Sequence, residues 1–259
     1  MAHEAHPPVA SALRVTGLKK SYGGLAATRD VHLDIAAGHV HAIIGPNGAG
    51  KTTLLSLLSG ALAADGGEIH LFGEAMHALA EQARVAAGLT RSFQITSVFD
   101  QLTVLQNLQV AAQRRRHASY GFGAGHRRDE ASRQAALAVA QRVGLEPLGE
   151  MPAAQLSHAA RRRLDVGLAI ACQPRVLLMD EPMAGMGPEE TIDMIDLIGS
   201  LKQELTVVLV EHDMEAVFAL ADRITVLVQG AVLATGSVEE IRLNAEVRSA
   251  YLGEEEQAS

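Results

Sequence analysis

The sequence predicts an α/β fold with a helical insert between the halves of its core. Three observations carry that expectation. Residues 176–179, 207–210 and 224–228 are short, continuous apolar runs of the kind that form parallel strands buried on both faces. A glycine-rich loop at 45–52 lies between an apolar run and a helix-forming one. From about 104 to 143 the pattern turns helical.

Taken in order, 14–18, 31–35 and 40–44 are rich in Val, Ile and Leu and bounded by Gly or Asp, which predicts short strands. Gly23-Gly24 and Gly38 supply turns, and 52–59 starts a helix. Residues 68–72 read as a strand closed by Gly66-Gly67 before it and Gly73 after it. The helical region is interrupted by a glycine-rich loop at 119–125, with Arg114, Arg115 and Arg116 before it and Arg127 and Arg128 after it. A further helix is predicted over 157–171, with Ser157 as its N-cap. Pro188-Glu189-Glu190 opens another, its acids near the positive end of the helix dipole. Gln229-Gly230 reads as a hairpin turn, and the polar tail at 254–259 as frayed. No internal repeat is present.

Composition narrows the function classes. The chain has 259 residues, 48% hydrophobic, enough for a full core. Aromatics are only 3%, with no Trp, so aliphatic residues must fill it. The formal net charge of -8 argues against nucleic acid as a partner, because phosphate-backbone binding needs clustered positive charge. Cys172 is the only cysteine, which excludes an internal disulfide and a cysteine-based metal site. No apolar run approaches the roughly 20 residues of a spanning helix, and 1–8 are polar. A soluble, unsecreted chain with at most a peripheral membrane role is expected.

The chemistry concentrates at strand ends. Gly45-Pro46-Asn47-Gly48-Ala49-Gly50-Lys51-Thr52 matches G-x-x-x-x-G-K-[ST] at every fixed position, between a predicted strand and a predicted helix. Glycines let successive N–H groups turn inward onto phosphate oxygens. Lys51 reaches the terminal phosphates, and the Thr52 hydroxyl coordinates the Mg²⁺ that bridges them, with Thr53 beside it. The apolar run 176–179 ends in Asp180, placed to hold the Mg²⁺ shell, and Glu181, placed as general base for the attacking water. The run 207–210 ends in Glu211-His212-Asp213, at the strand edge where open α/β sheets bind ligands. There His212 can contact the γ-phosphate or position Glu181. Gln94 is either a neutral ligand to Mg²⁺ or water, or an ordinary loop residue. Tyr22 is either a stacking platform for a base or a core or edge tyrosine.

Together these residues resemble the ABC ATPase family over nearly the whole chain. The resemblance implies a single ABC ATPase domain over 1–259. That domain is a P-loop ATPase core with an antiparallel β subdomain, a helical subdomain at about 95–172 and a C-terminal extension at about 238–259. It implies that Tyr22 stacks on adenine, that Gln94 sits at the permease interface and senses Mg²⁺, and that His212 is a switch histidine. It also implies a head-to-tail dimer sandwiching two ATP molecules, formed with an identical or a different ATPase subunit. Membrane permease subunits at the cytoplasmic face of the cell membrane, served indirectly by a solute-binding protein, complete the expected partners. Ala184-Gly185-Met186-Gly187-Pro188, the basic loop at 114–128 and the ending Ala250-Tyr251-Leu252-Gly253-Glu254 are similar to the branched-chain amino acid importer type.

One motif departs from the family. Its Leu-Ser-Gly-Gly-Gln signature reads Leu156-Ser157-His158-Ala159-Ala160 here. Ser157 and the helix N-terminus behind it are expected to bind the γ-phosphate held by the partner subunit. A β-carbon at Ala159 is expected either to obstruct that approach and weaken the site, leaving a regulatory half, or to point away without effect. The basic residues at 114–128 read as a solvated face or as a contact for anionic lipid.

Overall fold

The computed structural model describes residues 10–92, 98–114 and 125–255, with side chains described except at 114, 125–128 and 251–255. Gln94 and most of the basic loop therefore lie outside the described residues.

A four-stranded antiparallel sheet packs over a six-stranded core sheet. The antiparallel sheet runs in the order β2-β1-β4-β5, with β1 at Ser11–Tyr22, β2 at Leu25–Ala36, β4 at Gly66–Leu71 and β5 at Glu74–Ala75. Strands β1 and β2 extend well beyond 14–18 and 31–35. Their outer ends carry polar residues that give no apolar signal, yet the backbone ladder continues, pairing Lys20 with Thr28 and Tyr22 with Leu25.

The core sheet runs β10-β9-β3-β8-β7-β6. Strands β3 (Val40–Ile44), β6 (Leu89–Arg91), β7 (Val176–Asp180), β8 (Thr206–Val210) and β9 (Arg223–Val228) are parallel, and β10 (Ala231–Gly236) closes a hairpin with β9. Every residue of β3, β7 and β8 is buried, which is why 176–179 and 207–210 read as unbroken apolar runs, while β3 carries the buried His41 among its apolar residues.

Helix α1 (Lys51–Ser59) lies between the two sheets. Leu54, Leu55, Leu57 and Leu58 are all buried, in one cluster with Leu13 and Leu18 of β1, Ile69 of β4 and Val208 of β8. A helix apolar on several sides is what a position between two layers requires. Helices α3 (Val104–Arg114), α4 (Gly125–Arg142) and α5 (His158–Ala171) pack on one another. Their core, through Val104, Leu108, Ala140 and Leu164, joins Leu177 and Met179 of β7 and Ile198 of α6 (Pro188–Leu201).

Several short elements escape the sequence pattern: α2 (Glu81–Ala87), α7 (Met214–Leu220), α8 (Val238–Leu243) and α9 (Ala245–Glu255). The last reaches the first two residues of the tail read as frayed, Glu254 and Glu255, and 256–259 lie outside the described residues. Asn244 Oδ1 accepts from the N–H groups of Glu246 and Val247, and Val247 is buried, so α9 is capped and anchored. Gly125, read as the end of a loop, instead opens α4. No helix among the described residues is long and apolar enough to cross a membrane.

Candidate functional site

The loop of 45–50 runs from β3 into α1, and its shape is dictated by what lies against it. Gly45 has φ 154°, and a Cβ there would fall 2.0 Å from the Leu227 carbonyl oxygen of β9. Gly50 has φ 98°, and a Cβ would fall 2.3 Å from the Ala27 carbonyl oxygen of β2. Both glycines are therefore required by close backbone packing as well as by left-handed conformation. The hairpin turn at Gly230 completes the seat: its N–H donates to Ala49 O at 2.9 Å, and its carbonyl accepts from Arg29 N at 2.6 Å.

Lys51 begins α1 and is buried, its Nζ donating to the carbonyls of Gly45 and, at 3.0 Å, Pro46. The loop is thus tied across its own mouth by the lysine. Beside it opens a cavity of about 700 Å³, lined by Asn47, Gly48, Ala49, Gly50, Lys51, Thr52 and Thr53. Tyr22, Leu25, Ala26, Ala27, Arg29, Glu181 and Gln229 complete the lining. Tyr22 is 52% exposed, so it is neither a core residue nor packed away from the loop.

At the end of β7, the Asp180 side chain is fully buried. Its Oδ2 accepts from Arg91 Nη2 at 2.7 Å, while Oδ1 is buried with no hydrogen-bond partner among the described residues. Burial pushes its carboxyl above the usual range, against the pull of the Arg91 guanidinium. A buried carboxylate oxygen without a donor is the kind of atom a cation would satisfy. Glu181 follows with φ 48°, a left-handed turn at the strand's end, lines the cavity, and has its N–H held by Val210 O at 2.8 Å.

At the end of β8, His212 Nδ1 lies 3.8 Å from Glu181 Oε1. That is ion-pair range, too long for a hydrogen bond. Glu211 is 1% exposed, and burial raises its carboxyl pKa. Its Oε1 accepts from Met183 N at 3.0 Å and its Oε2 from His212 N at 3.1 Å. One buried carboxylate thereby fixes the Glu181 loop and the His212 backbone together. Its place in the cluster after β8 is visible in the sequence, but its partner 28 residues away is not.

Ser157 does not line this cavity. It caps α5, its Oγ accepting from Ala160 N at 3.2 Å. Ala159 and Ala160 are only 6% and 9% exposed, and Ala160 belongs to the core shared with Leu164 and Met179. Both residues are thus buried in the chain by itself, and Ala160 packs into the core. His158 is exposed and rests over Gly185, where an added Cβ would meet its ring at 3.2 Å.

Residues 28–184 match the family model described as ABC transporter. The chain belongs to the ABC transporter family. Residues 231–257 match the model described as branched-chain amino acid ATP-binding cassette transporter. BraF of Pseudomonas aeruginosa, a high-affinity branched-chain amino acid transport ATP-binding protein, is 39% identical over 93% of this chain and 98% of its own. LivG of Escherichia coli K12, described in the same words, is 37% identical over the same shares. Among solved structures, a nucleotide-free ATP-binding cassette from an ABC transporter superposes with a TM-score of 0.82 at 26% identity, covering 93% of this chain and 98% of that one.

Proposed function

We propose that this chain is the ATP-hydrolysing subunit of an ABC importer that drives uptake of a branched-chain amino acid or related small solute. It would work through membrane permease subunits at the cytoplasmic face, paired with a second ATPase subunit. The observation that carries the reading is the convergence on one cavity of the phosphate loop, Glu181 from β7 and Tyr22 from the antiparallel sheet, with His212 beside Glu181. The two named relatives supply the solute class, and their match spans nearly the full length of each chain.

Each residue then has a task. Tyr22 offers its exposed ring to adenine. The N–H groups at the start of α1 and the Lys51 ammonium receive the phosphates. Thr52 and Asp180, with Gln94, would hold Mg²⁺, and the unpartnered Oδ1 of Asp180 suits that use. When bound, the ion neutralises charge on the phosphate oxygens. Glu181 accepts the proton of the attacking water, and His212 orients Glu181 and the γ-phosphate. Ser157 and the N-terminus of α5 serve the phosphate held by the partner subunit. Ala159 and Ala160 are buried there, while Ser157 and His158 are exposed.

The test is steady-state ATP hydrolysis by the chain assembled with its permease and companion ATPase. Glu181→Gln is expected to cut turnover at least 100-fold while retaining bound ATP, and Lys51→Ala to weaken both binding and turnover. Normal binding and turnover in Lys51→Ala would refute the phosphate-loop assignment.

A further inference from the structure

Arg91 ends β6 and is used by none of the roles above. Its side chain is 12% exposed and reaches two elements at once. Nη1 donates to Ser56 Oγ at 3.0 Å, and Nη2 donates to Asp180 Oδ2 at 2.7 Å. Ser56 Oγ in turn donates to the Thr52 carbonyl at 2.7 Å, one turn back along α1. A continuous chain of hydrogen bonds therefore runs from the backbone of Thr52 through Ser56 and Arg91 to the carboxylate of Asp180. These end points are the two residues of the described chain assigned to the metal.

We infer that Arg91 is a positioning residue for the divalent cation, resting on the reading of Thr52 and Asp180 as its holders. The guanidinium is a planar fork, so engaging both partners fixes the direction of each. By occupying Oδ2 it sets the carboxylate so that Oδ1, buried and without a partner among the described residues, is the oxygen left for the ion. By holding Ser56 it fixes the turn of α1 that carries Thr52. Its charge also compensates the buried carboxylate, and the bond to Ser56 satisfies one of its own buried donors while fixing the side chain's direction. Residues that orient a metal ligand from behind typically change metal affinity by 10–100-fold when removed.

The experiment is Mn²⁺ binding followed by electron paramagnetic resonance, with the protein saturated by a non-hydrolysable ATP analogue. Arg91→Ala, Arg91→Lys and Ser56→Ala are compared with the parent chain. Arg91→Ala is expected to raise half-saturating Mn²⁺ about tenfold or more, with analogue affinity in EDTA changed by less than about threefold. Arg91→Lys, a single point charge, is expected to recover only part of the loss. Ser56→Ala is expected to weaken Mn²⁺ by a smaller factor, because one arm remains, and it keeps the test alive should Arg91→Ala fail to fold. Unchanged Mn²⁺ binding in folded variants would overturn the inference and leave Arg91 a buried counter-ion. Tighter Mn²⁺ binding would overturn it too, making the guanidinium a competitor for Asp180. Should the parent chain bind neither analogue nor Mn²⁺, the assignment of the nucleotide site fails instead.

Discussion

At the scale of single residues, the phosphate loop separates two reasons for being glycine. Gly48 has φ 77° but open space where a Cβ would stand, whereas Gly50 has the Ala27 carbonyl oxygen 2.3 Å away. Alanine at 48 meets only the left-handed penalty, about 1–2 kcal/mol. At 50 it must also push backbone apart. Thermal unfolding of Gly48→Ala and Gly50→Ala should show the second clearly less stable. Equal losses would mean that β2 yields freely at Ala27. The loop itself was plain in the sequence because its residues are contiguous. Arg91 and Glu211 were not, because their partners lie 89 and 28 residues away and a single charged residue announces no partner. Tyr22 and His212 needed the fold to bring them near the loop and Glu181.

At the scale of elements, α5 keeps its cap although its sequence departs from the family signature. Its cap is intact through Ser157, and Ser157→Ala should cost about 1 kcal/mol in urea unfolding. Ala160→Gln, which restores the family's usual residue, places a longer polar side chain where Ala160 packs among core residues. It should destabilise by roughly 1–3 kcal/mol, and, with Ala159→Gly, bring no gain in ATP turnover. A severalfold gain would restore the idea of a weakened signature. The sequence located this helix to within a residue because cap and apolar period agree there. It missed α2, α7 and α8, whose six or seven residues are too few for a period to declare itself, although Ser237 and Glu240 form a capping box at the start of α8.

At the scale of the whole molecule, strand order was the part least open to sequence reading. β3 lies between β8 and β9, far along the chain, and nothing local chooses those neighbours. Inside that sheet His41 is 1% exposed, its Nε2 against Thr225 Oγ1 at 2.8 Å. Burial, with Arg223 and His39 nearby, pushes its pKa down from 6.5 to about 4. Between those values the unfolded chain takes up a proton that the folded chain refuses. Stability should therefore fall as pH drops from about 6.5 toward 4, by on the order of 3 kcal/mol from this group. Urea unfolding of the parent and His41→Leu at pH 7.5 and 4.5 checks it. The variant should lose less stability on acidification, and an equal loss would exonerate His41.

The cavity has a further consequence, because its two walls belong to different sheets. Tyr22, 25–27 and Arg29 come from the antiparallel sheet, and 47–53, Glu181 and Gln229 from the core side. Between them the loop carries the backbone bonds from Arg29 to Gly230 and from Gly230 to Ala49. A nucleotide seated there would act as mortar in a masonry joint, gripping both courses while belonging to neither. Such a filler adds its binding free energy to the joint, about 2.7 kcal/mol at a hundred times its dissociation constant. The antiparallel sheet should then stand more firmly on its foundation in the loaded chain than in the empty one, and loosen each time the products leave.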